Sequence, residues 1–192
     1  MKFFSLLLFL LNLNAFAHPV IFQDGKEIMT SYQPFLQEYN FMYSFNSKNS
    51  FGFKQMNTKD EKMSLLTYNH LFKRFNGNDS QGNIYLLTGL GANDESRFSY
   101  NLGLEADWES RRLYVSGKVI NMVHDNLLRL RTGFAPYKAS FEDLNMWLMA
   151  EYTSFGKNSE ITPFVRLYYD FFLIELGYGL NKNFMLNTMF HF

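Results

Sequence analysis

Residues 97–110 read RFSYNLGLEADWES, a stretch in which apolar and polar side chains alternate from end to end. The apolar positions are Phe98, Tyr100, Leu102, Leu104, Ala106 and Trp108. A period of two residues predicts a β-strand with one apolar face and one polar face. Aromatic rings stand at both ends of the apolar face, which is typical of strands that cross a membrane and place their rings at the two water interfaces.

The composition of the whole chain agrees with a surface that is apolar on every second residue. Aromatic side chains make up 19% of the 192 residues, more than a soluble domain of this size buries easily. The mean hydropathy is nevertheless -0.21, too polar for a bundle of membrane helices. A net charge of zero gives no reason to expect a nucleic-acid partner, and the absence of cysteine excludes disulfides and thiolate metal sites.

The first residues of the chain have the three parts of a secretory signal peptide. Lys2 is followed by the apolar run FFSLLLFLL, and Ala15-Phe16-Ala17 forms an A-x-A cleavage site. The alternative, a membrane-anchoring helix, would need about 20 apolar residues. We therefore predict a cleaved signal peptide at 1–17. Residues 18–35 would then form an N-terminal periplasmic segment that begins at His18 and lies ahead of, or includes, the first strand.

Alternating segments recur between residues 36 and 192, separated by short stretches rich in Asn, Gly, Asp and Lys. No linker or repeat divides this region, so we predict one all-β domain over 36–192. The clear segments are odd in number, whereas single-chain bacterial barrels have an even number of strands. The residues KEIMTSYQ at 26–33 would supply the missing strand. We predict a closed antiparallel transmembrane β-barrel of 12 strands, with 10 strands as the alternative.

The chain ends in NFMLNTMFHF, in which Phe190 and Phe192 lie on the apolar face of a last strand. This ending resembles the C-terminal strand of bacterial outer-membrane β-barrel proteins, and the stretches ADWESRRLYVSGKV and TPFVRLYYDFFLIELGYG resemble segments of small proteobacterial barrels. The resemblance implies export through the periplasm to the outer membrane of a Gram-negative cell. It also implies two partners: outer-membrane lipid, and the barrel-assembly machinery, which would recognise Phe190 and Phe192.

Alternation assigns a row of charged side chains to the interior, or lumen, of the predicted barrel. Charge on the lipid face would cost about 2–4 kcal/mol for an Arg or Lys near the midplane. The predicted lumen charges are Glu105, Asp107, Glu109, Arg112, Lys118, Arg129, Arg131, Glu151, Arg166 and Glu175. Acidic and basic groups are equal in number, which favours mutual neutralisation that fills the lumen over a selectivity constriction. The predicted function is a structural barrel or a narrow pore for small polar solutes or ions.

The alternative function is a lipid-acting enzyme of the lipase or acyltransferase type, which would need a nucleophile next to a base. The histidines are His18, His70, His124 and His191, and His70 is the one candidate for a base. None of them lies beside a serine at a spacing that puts both residues on one strand face. We therefore predict that the protein is not an enzyme.

A separate hypothesis places Cu(II) or Zn(II) at His18 and gives the barrel a role in metal handling. Cleavage after Ala17 would leave His18 with a free amine and an imidazole, a pair that can chelate a late transition metal. Pro19 has no amide N–H, so further ligands would have to come from elsewhere. The methionines, ten in all, are expected to face lipid or to pack rather than to bind metal.

Deletion of Phe192 should reduce insertion into the outer membrane, because the assembly machinery would lose the terminal ring of its recognition signal. The measurement is the amount of the deleted and intact proteins in outer-membrane fractions, with periplasmic degradation products followed in parallel. Normal outer-membrane levels of the deletion would contradict the prediction.

Overall fold

The computed structural model describes residues 18–139 and 143–192, so the predicted signal peptide lies outside the described residues. The strands are β1 (Lys26–Gln33), β2 (Leu36–Asn46), β3 (Asn49–Thr58), β4 (Lys62–Asn76), β5 (Ser80–Asn93), β6 (Phe98–Ser110), β7 (Leu113–Met122), β8 (Asn126–Phe134), β9 (Asn145–Phe155), β10 (Asn158–Tyr169), β11 (Phe172–Tyr178) and β12 (Phe184–His191). Among the described residues, no helix is long and apolar enough to cross a bilayer.

Pairing of the first strand with the last closes the sheet into a barrel. Every strand pairs antiparallel with its neighbours in sequence, and β1 also pairs antiparallel with β12. Thr30 lies opposite Thr188, with 2.8 Å between their Oγ1 atoms. The predicted closed antiparallel barrel of 12 strands is confirmed, and the alternative of 10 strands is wrong. The segment KEIMTSYQ forms β1, so the barrel begins within residues 18–35.

The period of two decides which side chains face outward. On β6 the polar residues from Ser99 to Glu109 are buried and the apolar residues between them are mostly exposed. Large apolar side chains lie on the outer face of other strands too, such as Leu66 at 72% exposed and Phe72 at 73%. An apolar outer surface of this extent would be unfavourable in water and is well suited to contact with lipid tails.

The interior is filled in layers. We call the end where β1 begins and β12 ends the terminal end, and the opposite end the far end. The far end holds a buried apolar layer, which consists of Phe35, Leu36, Met56, Met63, Ile120, Met122, Leu127 and Phe155. The inward-facing residues of β9 include Trp147 near the terminal end, Glu151 in the middle of the strand and Phe155 at the far end. On β9 the charged Glu151 therefore lies between Trp147 and the apolar layer of the far end.

The connections between strands are short at the far end, and the longest connection, residues 135–144 between β8 and β9, lies at the terminal end. Arg111 and Arg112 alone connect β6 to β7. In the turn between β9 and β10, Gly156 has a φ of 55°, and a Cβ there would come within 2.6 Å of Asp125 Oδ1. Glycine is the residue that accepts this left-handed conformation without strain. At the far end, the short connections leave the interior side chains, rather than loops, to control access to the lumen.

The double variant Thr30→Cys/Thr188→Cys should form a disulfide, because the chain has no cysteine of its own and the two residues face each other where β1 meets β12. The disulfide would link two residues near opposite ends of the chain, so that most of the chain lies within one covalent loop. The boiled, non-reduced protein would therefore migrate differently in a denaturing gel. The matched control is Thr30→Cys/Thr132→Cys, whose second cysteine lies on β8. Identical migration of the two oxidised variants would contradict closure between β1 and β12.

Candidate functional site

The predicted lumen charges lie inside the barrel, with one exception. Inward-facing positions are held by Glu105, Asp107 and Glu109 on β6, Lys118 on β7, Arg129 and Arg131 on β8, Glu151 on β9, Arg166 on β10 and Glu175 on β11. The most deeply buried are Glu151, Arg166 and Glu175, each 1% exposed. Alternate residues of neighbouring strands share one interior, so charges that are distant in sequence meet there.

Arg112 is the exception, and its expected position in the lumen is corrected. β6 ends at Ser110 and β7 begins at Leu113, so Arg112 lies in the connecting turn and is exposed. Its Nε donates to the Ala135 carbonyl at 3.1 Å, and its Nη2 donates to the Pro136 carbonyl at 3.0 Å. Alternation assigns a face only within a strand, and it does not extend through a turn.

An ion pair joins strands on opposite sides of the lumen. Arg129 Nη2 lies 3.1 Å from Glu38 Oε2, and Lys54 Nζ lies 3.4 Å from Glu38 Oε1. In the ring of strands, β2 with Glu38 and β8 with Arg129 stand directly across from each other. The Glu38–Arg129 pair therefore spans the middle of the lumen.

From Arg129 on β8, the ion pairs continue around the ring to side chains of β9, β10 and β11. Arg129 Nε lies 3.7 Å from Glu151 Oε1, and Arg131 Nε lies 2.6 Å from Glu151 Oε2. Glu175 then links Arg131, at 3.2 Å, with Arg166, at 2.7 Å. Together with Glu38 and Lys54 these side chains form one connected group, which we call the lumen network.

Neutral side chains complete the coordination of the buried carboxylates. Gln33 Nε2 and the Thr153 hydroxyl each donate to Glu151 Oε1 at 2.5 Å. Asn187 Nδ2 donates to Glu175 Oε2 at 2.6 Å. Buried charge is tolerated only when ion pairs and hydrogen bonds replace the lost water. These contacts meet that requirement for both carboxylates.

Sequence reasoning did not identify Glu38 and Lys54, although a signal for both was present. Glu38 precedes the outward-facing aromatics Tyr39 and Phe41, and Lys54 follows Phe53. Alternation from those aromatics would have assigned both charges to the lumen. Their partners across the barrel could not have been read from the sequence, because the pairing depends on the circumference of the closed ring.

The space left between these side chains is small. One cavity of about 60 Å³ lies beside Arg129 and Arg131, and another of about 50 Å³ lies beside Glu105 and Lys54. Each has room for one or two water molecules, since a water molecule occupies about 30 Å³ in the liquid. A wider vestibule of about 350 Å³ at the far end is lined in part by His124. The middle of the lumen is therefore closed in this structure.

The predicted N-terminal periplasmic segment, residues 18–35, includes β1, and its first residues do not extend away from the barrel into the periplasm. Residues 18–24 fold into the lumen from the terminal end. The Pro19 carbonyl accepts hydrogen bonds from Ser50 Oγ at 2.7 Å and Asn69 Nδ2 at 3.3 Å, and Val20 is 1% exposed. The hydrogen bonds from Ser50 on β3 and Asn69 on β4, together with the burial of Val20, hold the segment inside the barrel. The segment narrows the lumen at the terminal end.

His18 is buried beside the acidic face of β6. Its Nδ1 lies 3.2 Å from Asp107 Oδ2. Burial lowers the pKa of the imidazole, but the hydrogen bond to Asp107 and the charges of Asp107, Glu109 and Glu105 outweigh it and raise the pKa above 6.5. In the described part of the chain, no three His, Asp or Glu side chains are grouped to hold a metal ion. The Cu(II) or Zn(II) site at His18 stays a prediction.

The partners of His70 and His191 do not suggest hydrolysis. His70 lies on the outer face of β4, with Nδ1 2.7 Å from Asn49 Oδ1. His191 faces the lumen, with Nε2 2.9 Å from Glu27 Oε2. A lipid-acting enzyme would instead place a hydroxyl nucleophile next to its base. These contacts give the enzyme alternative no support.

Phe190 and Phe192 stand at the end of the last strand. Phe190 is 43% exposed on the outer face, and its ring centroid lies 4.6 Å from that of Phe172. The Phe192 N–H donates to the Lys26 carbonyl at 2.9 Å, so backbone pairing continues to the final residue. Recognition of these rings by the assembly machinery stays a prediction.

Comparison with known proteins identifies the fold. No family model matches the chain, and no curated protein matches it. The chain is similar to the KdgM porin with a TM-score of 0.57 and 14% identity, over 88% of this chain and 98% of that chain. The KdgM porin in complex with disordered oligogalacturonate matches with a TM-score of 0.56 and 13% identity, over the same shares. At such identities the likeness concerns the fold alone, which is that of an outer-membrane β-barrel.

Glu175→Gln should lower the free energy of unfolding by about 3–5 kcal/mol, because it leaves the buried guanidinium of Arg166 without its carboxylate. Adding Arg166→Met should recover part of the loss, since an apolar side chain needs no counter-charge. Urea titration of the reconstituted barrel measures both effects. Glu95→Gln, which breaks an exposed ion pair with Arg97, should cost less than about 1 kcal/mol. Equal losses for Glu175→Gln and Glu95→Gln would show that the lumen pair contributes no more than a surface pair.

Proposed function

We propose that the protein is a narrow outer-membrane channel for small polar solutes or ions, closed at rest by the Glu38–Arg129 ion pair. The position of this pair carries the proposal, because its partners meet at 3.1 Å across the middle of the lumen. Each partner comes from a different side of the barrel. Separating them needs side-chain rotation only and leaves strand pairing unchanged.

The charge content of the lumen favours passage over simple filling. Buried ion pairs are often no more stabilising than well-packed apolar side chains of similar volume. A barrel that needed only a filled interior would gain little from so many charges. The lumen network has four cations, Lys54, Arg129, Arg131 and Arg166, and three carboxylates, Glu38, Glu151 and Glu175. When pairs separate, these groups can replace part of the hydration shell of a passing solute.

The apolar layer at the far end is compatible with opening because part of it is flexible. Met56, Met63 and Met122 belong to this layer. Unbranched methionine side chains change rotamer readily and adapt to irregular space. Rotation of these side chains would connect the far vestibule with the polar middle of the lumen.

The structural neighbours support a channel and help to limit its solute. The similar protein is a porin, and one of its structures contains disordered oligogalacturonate. The two cavities described in the middle of the lumen measure about 60 and 50 Å³. We infer a solute smaller than an oligosaccharide for this chain.

The proposal includes a location in the outer membrane, reached by export through the periplasm. The apolar outer face of the barrel would contact outer-membrane lipid. Assembly would proceed through β12, whose backbone pairing extends to the last residue.

Planar-bilayer recording tests the channel. The wild type should give brief, small openings, since the ion pair breaks only transiently. Glu38→Gln/Arg129→Gln removes the pair without changing the formal net charge and should raise the time-averaged conductance severalfold. The matched control is Glu95→Gln/Arg97→Gln, which removes an ion pair exposed at the rim and should leave the currents unchanged.

Three results would contradict the proposal. A silent wild type, with currents only in the Glu38→Gln/Arg129→Gln variant, would favour a barrel whose charges merely fill the lumen. Silence of both proteins, each shown to be folded by its migration in unboiled gels, would exclude this ion pair as the closing element. Hydrolysis of lipid by the same samples would favour the enzyme alternative.

A further inference from the structure

Glu109 is a buried carboxylate without a bonding partner at the terminal end of the lumen. It is the last inward-facing residue of β6 and is 3% exposed. Neither of its carboxylate oxygens has a hydrogen-bond partner in the described part of the chain. A buried carboxylate in this condition is costly, and an ion pair or hydrogen bonds normally offset the cost. Glu109 therefore lacks a counter-charge.

The arginines whose charges act on Glu109 are Arg74 and Arg166, and both have other partners. Arg166 Nε lies 2.7 Å from Glu175 Oε1, so its guanidinium already belongs to the lumen network. Arg74 Nε donates to Asn83 Oδ1 at 2.7 Å. Neither arginine donates a hydrogen bond to Glu109. The counter-charge has to come from another group.

His18 lies next to Glu109 in the same part of the lumen. It is 6% exposed, and its Nδ1 lies 3.2 Å from Asp107 Oδ2. Asp107 and Glu109 are inward-facing residues two positions apart on β6, a separation of about 7 Å along a strand. The charges of His18 and Glu109 act on each other. The first residue of the predicted mature chain is therefore held beside the acidic face of β6.

Cleavage at the predicted site would change the charge on the backbone nitrogen of His18. Hydrolysis of the Ala17–His18 peptide bond by water leaves a carboxylate on Ala17 and an amine on His18, and the amine takes up a proton. An α-amine has an ordinary pKa of about 7.7–8.0 and is mostly protonated at neutral pH. Because His18 is buried, the new ammonium needs an acidic partner in the lumen.

Of the three carboxylates on the inward face of β6, Glu109 is the one that lacks a partner. Glu105 Oε2 lies 2.7 Å from Lys118 Nζ. Asp107 accepts a hydrogen bond from Asn83 Nδ2 at 2.7 Å and faces the imidazole of His18. A buried cation without a carboxylate and a buried carboxylate without a cation would thus be neighbours in the cleaved protein.

We propose that removal of the signal peptide completes the charge balance of the lumen: the α-ammonium of His18 pairs with Glu109 and anchors residues 18–24 inside the barrel. The uncut chain has an uncharged amide at this position and cannot form the pair. The inference rests on the predicted cleavage after Ala17. It goes beyond the proposed channel, since the anchor forms whether or not the barrel conducts, and it gives the amine a different use from a Cu(II) or Zn(II) chelate.

Acylation of the His18 α-amine tests the pair. The processed barrel is purified from outer membranes, its first residue is identified by mass spectrometry, and labelling by an N-hydroxysuccinimide ester is followed in its N-terminal peptide. Only the neutral amine reacts, and a carboxylate partner keeps the amine protonated. The apparent pKa, taken from the pH dependence of the rate, should lie about one unit or more above that of the synthetic peptide HPVIFQDG, residues 18–25.

Two matched variants identify the carboxylate. Glu109→Gln keeps the size of the side chain and removes its charge, so acylation at pH 7 should be faster by about tenfold or more. Glu105→Gln removes a carboxylate from the same face that is already paired with Lys118, and it should change the rate by less than about twofold. The exposed amine of Lys182 is the reference in every sample. Wild-type migration of the unboiled proteins shows that the barrels are folded.

Four outcomes would overturn the proposal. One is a processed chain that begins at a residue other than His18. Another is an apparent pKa equal to or below that of the peptide, a comparison that needs only the wild type and so stands even if Glu109→Gln fails to insert. The others are equal acylation rates in the wild type and Glu109→Gln, and an acceleration in Glu105→Gln as large as that in Glu109→Gln.

Discussion

Antiparallel pairing of β1 with β12 removes both free edges of the sheet, and the other features of the molecule follow from it. In a closed ring the backbone groups of each strand are satisfied by its neighbours, so the outer face can be fully apolar without exposing unpaired amides to lipid. Alternate residues must then point into one shared interior. Glu38 and Arg129 are 91 residues apart in sequence and become partners because the ring places β2 opposite β8.

The shared interior contains two kinds of polar group, and they have different roles. Carboxylates and guanidinium groups are costly to bury alone, and in the lumen network they neutralise one another at distances from 2.6 to 3.7 Å. Thioethers carry no charge and need no such partner. Mutual pairing of the charges closes the middle of the lumen.

Much of this architecture could be predicted because the period of two residues is a local signal. Alternation in residues 97–110 fixed the inward face of β6, and the need for an even number of strands pointed to KEIMTSYQ as β1. Arg112 was misplaced because a turn follows Ser110. The pairing of Glu38 with Arg129 and the burial of His18 beside Asp107 join distant parts of the chain. Such contacts depend on the size of the ring and on its residual space, which no local pattern contains.

Reactivity of a thiol placed in the lumen is the most direct test of closure by side chains. Ser116 on β7 lines the cavity of about 60 Å³ in the middle of the barrel. Ser159 is exposed near the start of β10, at the far end of the barrel. Ser116→Cys and Ser159→Cys would each be the only thiol in the chain. With a charged methanethiosulfonate reagent, closure by side chains predicts that the cysteine at position 116 reacts far more slowly than the one at position 159. Equal rates at the two positions would contradict a closed lumen.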